Sequence, residues 1–289
     1  IKASHPQRVL AKQLNITQID RAGIIKLISS TKQTIAITGT HGKTTTSSII
    51  TEIFTYCEAN PSFIIGGILQ NSALKLNTNA AFNQGPHLIL ESCESDRSFL
   101  KLNPHIGIIT NIDAEHLSQY DNNITKLENA FLKFTQNITN SCIICIDNHY
   151  TKKLISKLKA ISCKNNKNNS QNTTLNTTLS ISTQDNSADI YAQIIKNTKN
   201  HTIFKLTLNK HHPKLKKYYD KTNNNLNNAI LYSNLYGEHN IQNTVCAIAA
   251  AICTELPADK ILSAIQSSYG AKRRCEYLGE YLIQNKFNS

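Results

Sequence analysis

The segment TIAITGTHGKTTTSSII, Thr34 to Ile50, constrains this chain more than any other stretch. An apolar run, Ile35 to Ile37, meets a turn with glycines at 39 and 42, and Lys43, Thr44 and Thr45 then open a pattern in which Ile49 and Ile50 begin a buried helical face. Strand, tight glycine turn and helix start make a cradle for an anion. Glycines let backbone N–H groups point inward, and a helix N-terminus adds about half a positive charge. The common phosphate-binding pattern G-x-x-x-x-G-K-[ST] would place its first glycine at Ile37, so the strict motif is absent. The physics survives the shorter turn: Lys43 offers a flexible point charge to β- and γ-phosphates, and Thr44 a hydroxyl to a Mg²⁺ held by the same phosphates. The plain alternative, a glycine turn capping a threonine-rich helix, leaves a lysine between a turn glycine and a hydroxyl without a purpose.

From Thr34 to about Asp147 apolar runs alternate with helical patterns: IAIT, SFIIGG, HLILE, IGIITNI and CIICID, with helix-like segments near 44 to 57 and 124 to 136. A helix is expected over Ala22 to Ile28, just before the phosphate loop, and Gly237 to Leu256 reads as a helix with Val245, Ile248, Ala249 and Ile252 on its apolar side. The alternation predicts an α/β fold with a P-loop-type, mostly parallel sheet flanked by helices. Ligands of such sheets bind beyond the carboxyl ends of the strands, where three runs end in polar, chemically versatile residues. The run KNNKNNSQNTTLNTT, about Lys164 to Thr178, is too polar and repetitive to bury anything and reads as an exposed insertion. Strand-like DIYAQII and TIFKLTL follow it.

Composition narrows the classes of function. The chain has 289 residues, 40% hydrophobic and 17% charged, enough for two modest globular domains. A net charge of +12 permits a polyanionic partner, and a nucleic-acid-binding P-loop protein is one alternative. The excess lysines are scattered, aromatics make up only 7% and tryptophan is missing, so no stacking platform is apparent and no nucleic-acid partner is expected. No run of 18 apolar residues predicts a membrane helix, and IKASHPQRVL lacks a signal peptide's apolar core, so a cytoplasmic location is the expectation. The absence of any methionine suggests a start inside a longer protein. Of eight cysteines only Cys142 and Cys145 form a C-x-x-C, within an apolar run and with no second pair to complete a zinc site, so buried thiols are expected.

Four polar clusters accompany the strand ends and the last helices. Glu91, Glu94 and Asp96 suit a Mg²⁺ held opposite Lys43 and Thr44, or a solvated acidic loop. Asn111, Asp113, Glu115 and His116 follow the next run, where the histidine suits a second metal and Asp113 suits a helix cap equally well. His239, Asn240 and Asn243 open the long helix with the two asparagines on one face, fit to meet an adenine edge or to cap. Lys272, Arg273 and Arg274 are surface charge or a clamp for a transferring phosphoryl group.

The order GTHGKTTT, ESCESDRSFL, TNIDAEH, GEHNIQNT and KRRCE resembles the Mur ligase family, over nearly the whole chain and more weakly between about 151 and 228. The short phosphate loop is that family's form. The histidine in GTHGKT, the acidic loop running into SFLKLNP, and TNIDAEH with Tyr120 shortly after are similar to the branch that joins L-alanine to UDP-N-acetylmuramate. The neighbouring branch that attaches a peptide to the same sugar nucleotide is the alternative. The resemblance implies an ATP- and Mg²⁺-dependent ligase of peptidoglycan precursor synthesis that forms an acyl phosphate, which the amine then attacks. It implies Lys43, His116 and Arg274 in catalysis, Gly39, Thr40, His41, Gly42, Lys43, Thr44, Thr45, Asn240 and Asn243 around the nucleotide, and Thr44, Glu91 and His116 on metal.

Three positions depart from or qualify the pattern. ESCESD stands where EADESD is usual, which leaves open whether Glu91 or Glu94 takes the metal; Cys275 replaces an aromatic; and Phe131 falls where related ligases carry a carbamylated lysine. The implied organisation is a tail of an N-terminal UDP-sugar-binding domain over 1–30 and a central ATP-binding domain over 31–275 with a low-complexity insertion about 164–228. The start of a C-terminal domain would occupy 276–289, the fold thus being truncated at both ends, and such a fragment is expected to be inactive alone.

Overall fold

The computed structural model describes residues 4–69, 71, 73–115, 117–167, 177–198, 201–219 and 225–268. Ten strands form one sheet: β1 (Gln33–Thr38), β2 (Ser62–Ile64), β3 (Ala80–Ala81), β4 (His87–Glu91), β5 (Ile106–Ile109), β6 (Ser141–Cys145), β7 (Thr177–Ser182), β8 (Ile190–Asn197), β9 (Thr202–Leu208) and β10 (Ile230–Ser233). Among the described residues seven α-helices accompany them: α1 (Pro6–Gln13), α2 (Arg21–Ser29), α3 (Lys43–Tyr56), α4 (Ile124–Gln136), α5 (His149–Lys167), α6 (Glu238–Cys253) and α7 (Ala258–Gln266). The spatial order is β10-β9-β8-β7-β6-β5-β1-β4-β2-β3, parallel from β8 through β2 and antiparallel at both ends.

The central strands are apolar on both faces because each face is covered. Along β1, Ile35 and Ile37 join the core shared with α3, α6 and α7, while Ala36 between them joins the core shared with α4 and α5. In β4, Ile89 faces the first core and Leu88 and Leu90 the second. This is the period of two acting on a sheet buried on both sides. The same period separates Cys142 and Cys145 onto opposite faces, so the C-x-x-C cannot converge on one metal. Burial pushes both thiols up to about 12.

Helix α3 is almost wholly buried despite its Thr and Ser content, and three of its hydroxyls bond carbonyls within the helix. Ser47 and Ser48 donate to the Thr44 carbonyl, and Thr51 donates to that of Ser47. The stretch read as an insertion is narrower in the structure. From Thr177 onward alternating Leu179 and Ile181 are buried, so β7 extends the sheet beside β6, and β8 and β9 follow as an antiparallel hairpin. The polar residues 168–176 lie outside the described residues. Among the described residues no helix is long and apolar enough to cross a membrane.

Candidate functional site

Strand β1 sits between β4 and β5, and the chain turns there onto opposite sides, so the switch point of the sheet lies beyond Thr38. The loop Gly39–Gly42 fills it. Gly39 has φ +132 and a Cβ there would stand 2.2 Å from Thr110 Oγ1; Gly42 has φ +80 and its Cβ would stand 2.3 Å from Asn243 Oδ1. Both positions therefore exclude side chains by conformation and by space. Thr46 N donates to the Gly42 carbonyl, and among the described residues the N–H groups of Lys43, Thr44 and Thr45 meet no acceptor and no side chain caps the end.

The loop is held from outside. Asn111 accepts from His41 N at 2.8 Å and donates to His41 O at 3.1 Å, Thr110 Oγ1 donates to the same carbonyl at 2.6 Å, and Asp113 N donates to Thr40 Oγ1 at 2.9 Å. Lys43 Nζ donates to the carbonyls of Gly39 and Thr40 and pairs with Glu94 Oε2 at 2.9 Å, the two side chains being 14% and 4% exposed. Thr44 Oγ1 donates to Glu91 Oε1 at 3.2 Å, and Gly66 N donates to Glu91 Oε2 at 2.8 Å. The geometry thus separates the two carboxylates that the sequence left open: Glu91 stands beside the threonine hydroxyl, Glu94 beside the lysine. Tyr120 supports the acidic loop by donating to Glu94 O at 2.6 Å, with the Arg97 guanidinium 5.4 Å over its ring; burial pushes the phenol up to about 12, so it stays a donor.

One cavity opens beside the Glu91–Asp96 segment and another beside the loop. The first, of about 240 Å³, is lined by Arg21, Ile64, Gly66, Glu91, Cys93 and Asp96 among others. The other, of about 390 Å³, runs from His41 and Gly42 past Asn111 to Asp147, Gln242 and Asn243.

The other expected residues are placed unequally. Thr45 is buried at the helix start, and Asn243, 7% exposed, accepts from Thr46 Oγ1 at 3.2 Å against Gly42. Asn240 is turned away: its side chain donates to Tyr236 O at 2.7 Å, the local bond nearest to hand in the first helical turn. His116 and Arg274 lie outside the described residues, as do Lys272, Arg273 and Cys275. His41, Asp113 and Glu115 are exposed with potential ligand atoms within 4.8 Å of one another. Phe131 is fully buried against Phe99, ring centroids 5.2 Å apart.

Sequence reasoning missed the Lys43–Glu94 pair, the Gly66 N–H on Glu91, and Asp147 with Gln242. A signal for Asp147 was available, since it follows an apolar strand as Glu91 does; the Gly66 contact needs the neighbouring strand to be placed first.

A glycine loop with a lysine and a threonine hydroxyl on carboxylates, set at the switch point of a mostly parallel sheet, defines an α/β domain of the phosphate-loop architecture. The sequence profile of the Mur ligase middle domain matches residues 37–251. The UDP-N-acetylmuramate–L-alanine ligase of Vesicomyosocius okutanii subsp. Calyptogena okutanii is 36% identical over 289 residues, 99% of this chain and 54% of that protein. That of Buchnera aphidicola subsp. Acyrthosiphon pisum (strain Tuc7) is 34% identical over 292 residues, 100% of this chain and 52% of that one. Among solved structures, the UDP-N-acetylmuramate-alanine ligase of Thermotoga maritima superposes with a TM-score of 0.71 at 20% identity, covering 95% of this chain and 54% of the other. The chain belongs to the Mur ligase family. It spans about half the length of the curated relatives it matches.

Proposed function

We propose that this chain carries the nucleotide-binding part of an ATP-dependent ligase that joins L-alanine to the carboxylate of UDP-N-acetylmuramate. The supporting observation is the loop itself: a helix start without a side-chain cap among the described residues, whose Lys43 and Thr44 meet Glu94 and Glu91. The names of the curated relatives support the choice of amino acid and sugar nucleotide. The N–H groups of Lys43, Thr44 and Thr45 would bind phosphate oxygens, and Lys43 would exchange the Gly39 and Thr40 carbonyls for the β- and γ-phosphates. Thr44 and Glu91 are hard oxygen donors 3.2 Å apart, a set that fits Mg²⁺; when bound, the ion would neutralise charge on the transferring phosphate. From the family resemblance His116 would serve a second ion and Arg274 the γ-phosphate. A bare carboxylate is a poor acyl donor; phosphorylation gives it a leaving group that the alanine amine displaces. In this reading residues 31–275 form the ATP-binding domain, and the enzyme acts in the cytoplasm on precursors of peptidoglycan.

Calorimetric titration of the chain with MgATP, with Lys43→Ala as control, tests the site. Saturable binding that the substitution weakens at least about tenfold is the expected result. A folded chain that binds no MgATP overturns the nucleotide site. A chain that binds it, but whose full-length protein releases no phosphate on adding UDP-N-acetylmuramate and L-alanine, overturns the substrate assignment alone.

A further inference from the structure

We propose that Gln242, held in one orientation by Asp147, reads the 6-position of a purine in the larger cavity and sets a preference for adenine over 6-oxopurine nucleotides. The inference rests on the nucleotide reading above and adds a residue that decides which base is taken.

Asp147 follows β6 and gathers donors from two other elements. Its Oδ2 accepts from Thr183 N, Thr183 Oγ1 and Gln242 Nε2, each at 2.8 Å, and its Oδ1 accepts from Ser182 Oγ. The second Gln242 amide proton points to Thr183 Oγ1 at 3.2 Å. Thr183 in turn reaches Glu238 Oε1 at 2.9 Å, which also accepts from Gln184 Nε2 at 3.0 Å, so the ends of β6 and β7 and the start of α6 share one network.

That network fixes an amide that would otherwise have two orientations. A carboxylate near neutral pH accepts and does not donate, so the Gln242 nitrogen must face Asp147. Flipping the amide would set oxygen against oxygen and forfeit a charge-assisted hydrogen bond. The oxygen Oε1 is therefore the atom left over, and among the described residues it meets the Nδ1 of exposed His239 at 3.4 Å, long for a hydrogen bond. Gln242 lines the cavity together with Asn243, Cys145 and Cys246. Asn243 is engaged at the loop, and the thiols offer soft, weakly polar surface to a base face.

With its nitrogen committed to Asp147 and Thr183, Gln242 has only its oxygen to offer a ligand in this cavity, and a fixed acceptor selects a donor. The 6-amino group of adenine supplies one; the 6-oxo group of hypoxanthine or guanine presents a second acceptor, which the locked amide cannot turn to meet. Inosine triphosphate is the sharper comparison, because it lacks the 2-amino group of guanine and so isolates position 6.

The test is calorimetric titration of the whole chain, wild type, Gln242→Leu and Asp147→Asn, with MgATP and with MgITP, each variant first shown to melt cooperatively. The wild type is expected to bind ATP at least about tenfold more tightly than ITP. Gln242→Leu is expected to bring the two within about threefold, by loss of ATP affinity. Asp147→Asn can donate as well as accept, so it frees the amide to flip and is expected to narrow the ratio by gain of ITP affinity. That gain is a response a merely structural role for Asp147 would not produce. Equal binding of ATP and ITP by the wild type, or a preference that survives Gln242→Leu, overturns the proposal and leaves the nucleotide site standing. Binding of neither nucleotide overturns both.

Discussion

Lys43 and Glu94 illustrate how much one residue in this site depends on another. Both are nearly buried, and the lysine pairs with the carboxylate while its remaining protons meet two carbonyls. Removing one member of a buried pair strands the other, which costs about 3 kcal/mol or more. Lys43→Ala is therefore expected to lower the melting temperature as well as nucleotide affinity, and Lys43→Met combined with Glu94→Gln to recover stability but not binding. Melting curves of both variants check this; a single Lys43→Ala as stable as the wild type would mean that Glu94 is solvated and not paired. Gly42 is the complementary case. An alanine there meets an unfavourable φ of +80 and the Asn243 side chain at 2.3 Å, so Gly42→Ala is expected to weaken MgATP binding at least about tenfold through the shape of the loop alone, with Lys43 intact. Calorimetry on that variant provides the check, and unchanged affinity would show that the loop relaxes.

At the scale of elements, what was legible in the sequence depended on whether a segment's own pattern decides its structure. Strands β1, β4, β5 and β6 are runs apolar on both faces, and α3 and α4 fall where the glycine turn and the apolar spacing put them. Strand β7 is hidden because Thr, Asn and Ser surround Leu179 and Ile181, and only pairing with β6 gives those residues a face to bury. The site divides likewise. Local chemistry reveals the loop and the strand-end acids, whereas Asn240 and Asn243 share a helical face and yet part company because only Asn243 reaches the loop. Strand β4 carries a further consequence at its first residue. Burial lowers the pKa of His87, with the charges of His105 and Lys32 adding to it, and its Nδ1 has no hydrogen-bond partner among the described residues while its ring packs edge-on to Phe54 at 5.3 Å. The unfolded chain, with a pKa of about 6.5, takes up that proton first. The contribution is full above about pH 6.5 and is lost as pH falls through the lower folded value, and His105 shifts in the same direction. Stability is thus expected to decline as pH falls below about 6.5, the unfolded value, and His87→Phe, which keeps the ring against Phe54, to flatten that decline. Denaturation at several pH values measures it, and an unaltered slope in the variant would assign the effect elsewhere.

In the whole molecule the site is an assembly of strand ends that no single element contains. The loop comes from β1, its anchors from β5, the carboxylates from β4, Asp147 from β6 and Asn243 from α6, and only the doubly covered sheet brings them to one edge. The antiparallel edge β8, β9 and β10 completes the core at the other end of the same sheet, far along the strand order from β1. Ligand that binds only the folded state stabilises it by about 2.7 kcal/mol at a hundred times its dissociation constant, and that free energy acts where openings disrupt the site. MgATP is accordingly expected to slow amide hydrogen exchange in the loop and first turn of α3, in the Glu91–Asp96 segment and at the start of α6, with much smaller changes in the hairpin of β8 and β9. Exchange measured with and without MgATP resolves these segments. Protection confined to the loop, with the start of α6 unaffected, would mean that the base does not occupy the larger cavity, because a nucleoside lying there must touch the helix that carries Gln242 and Asn243.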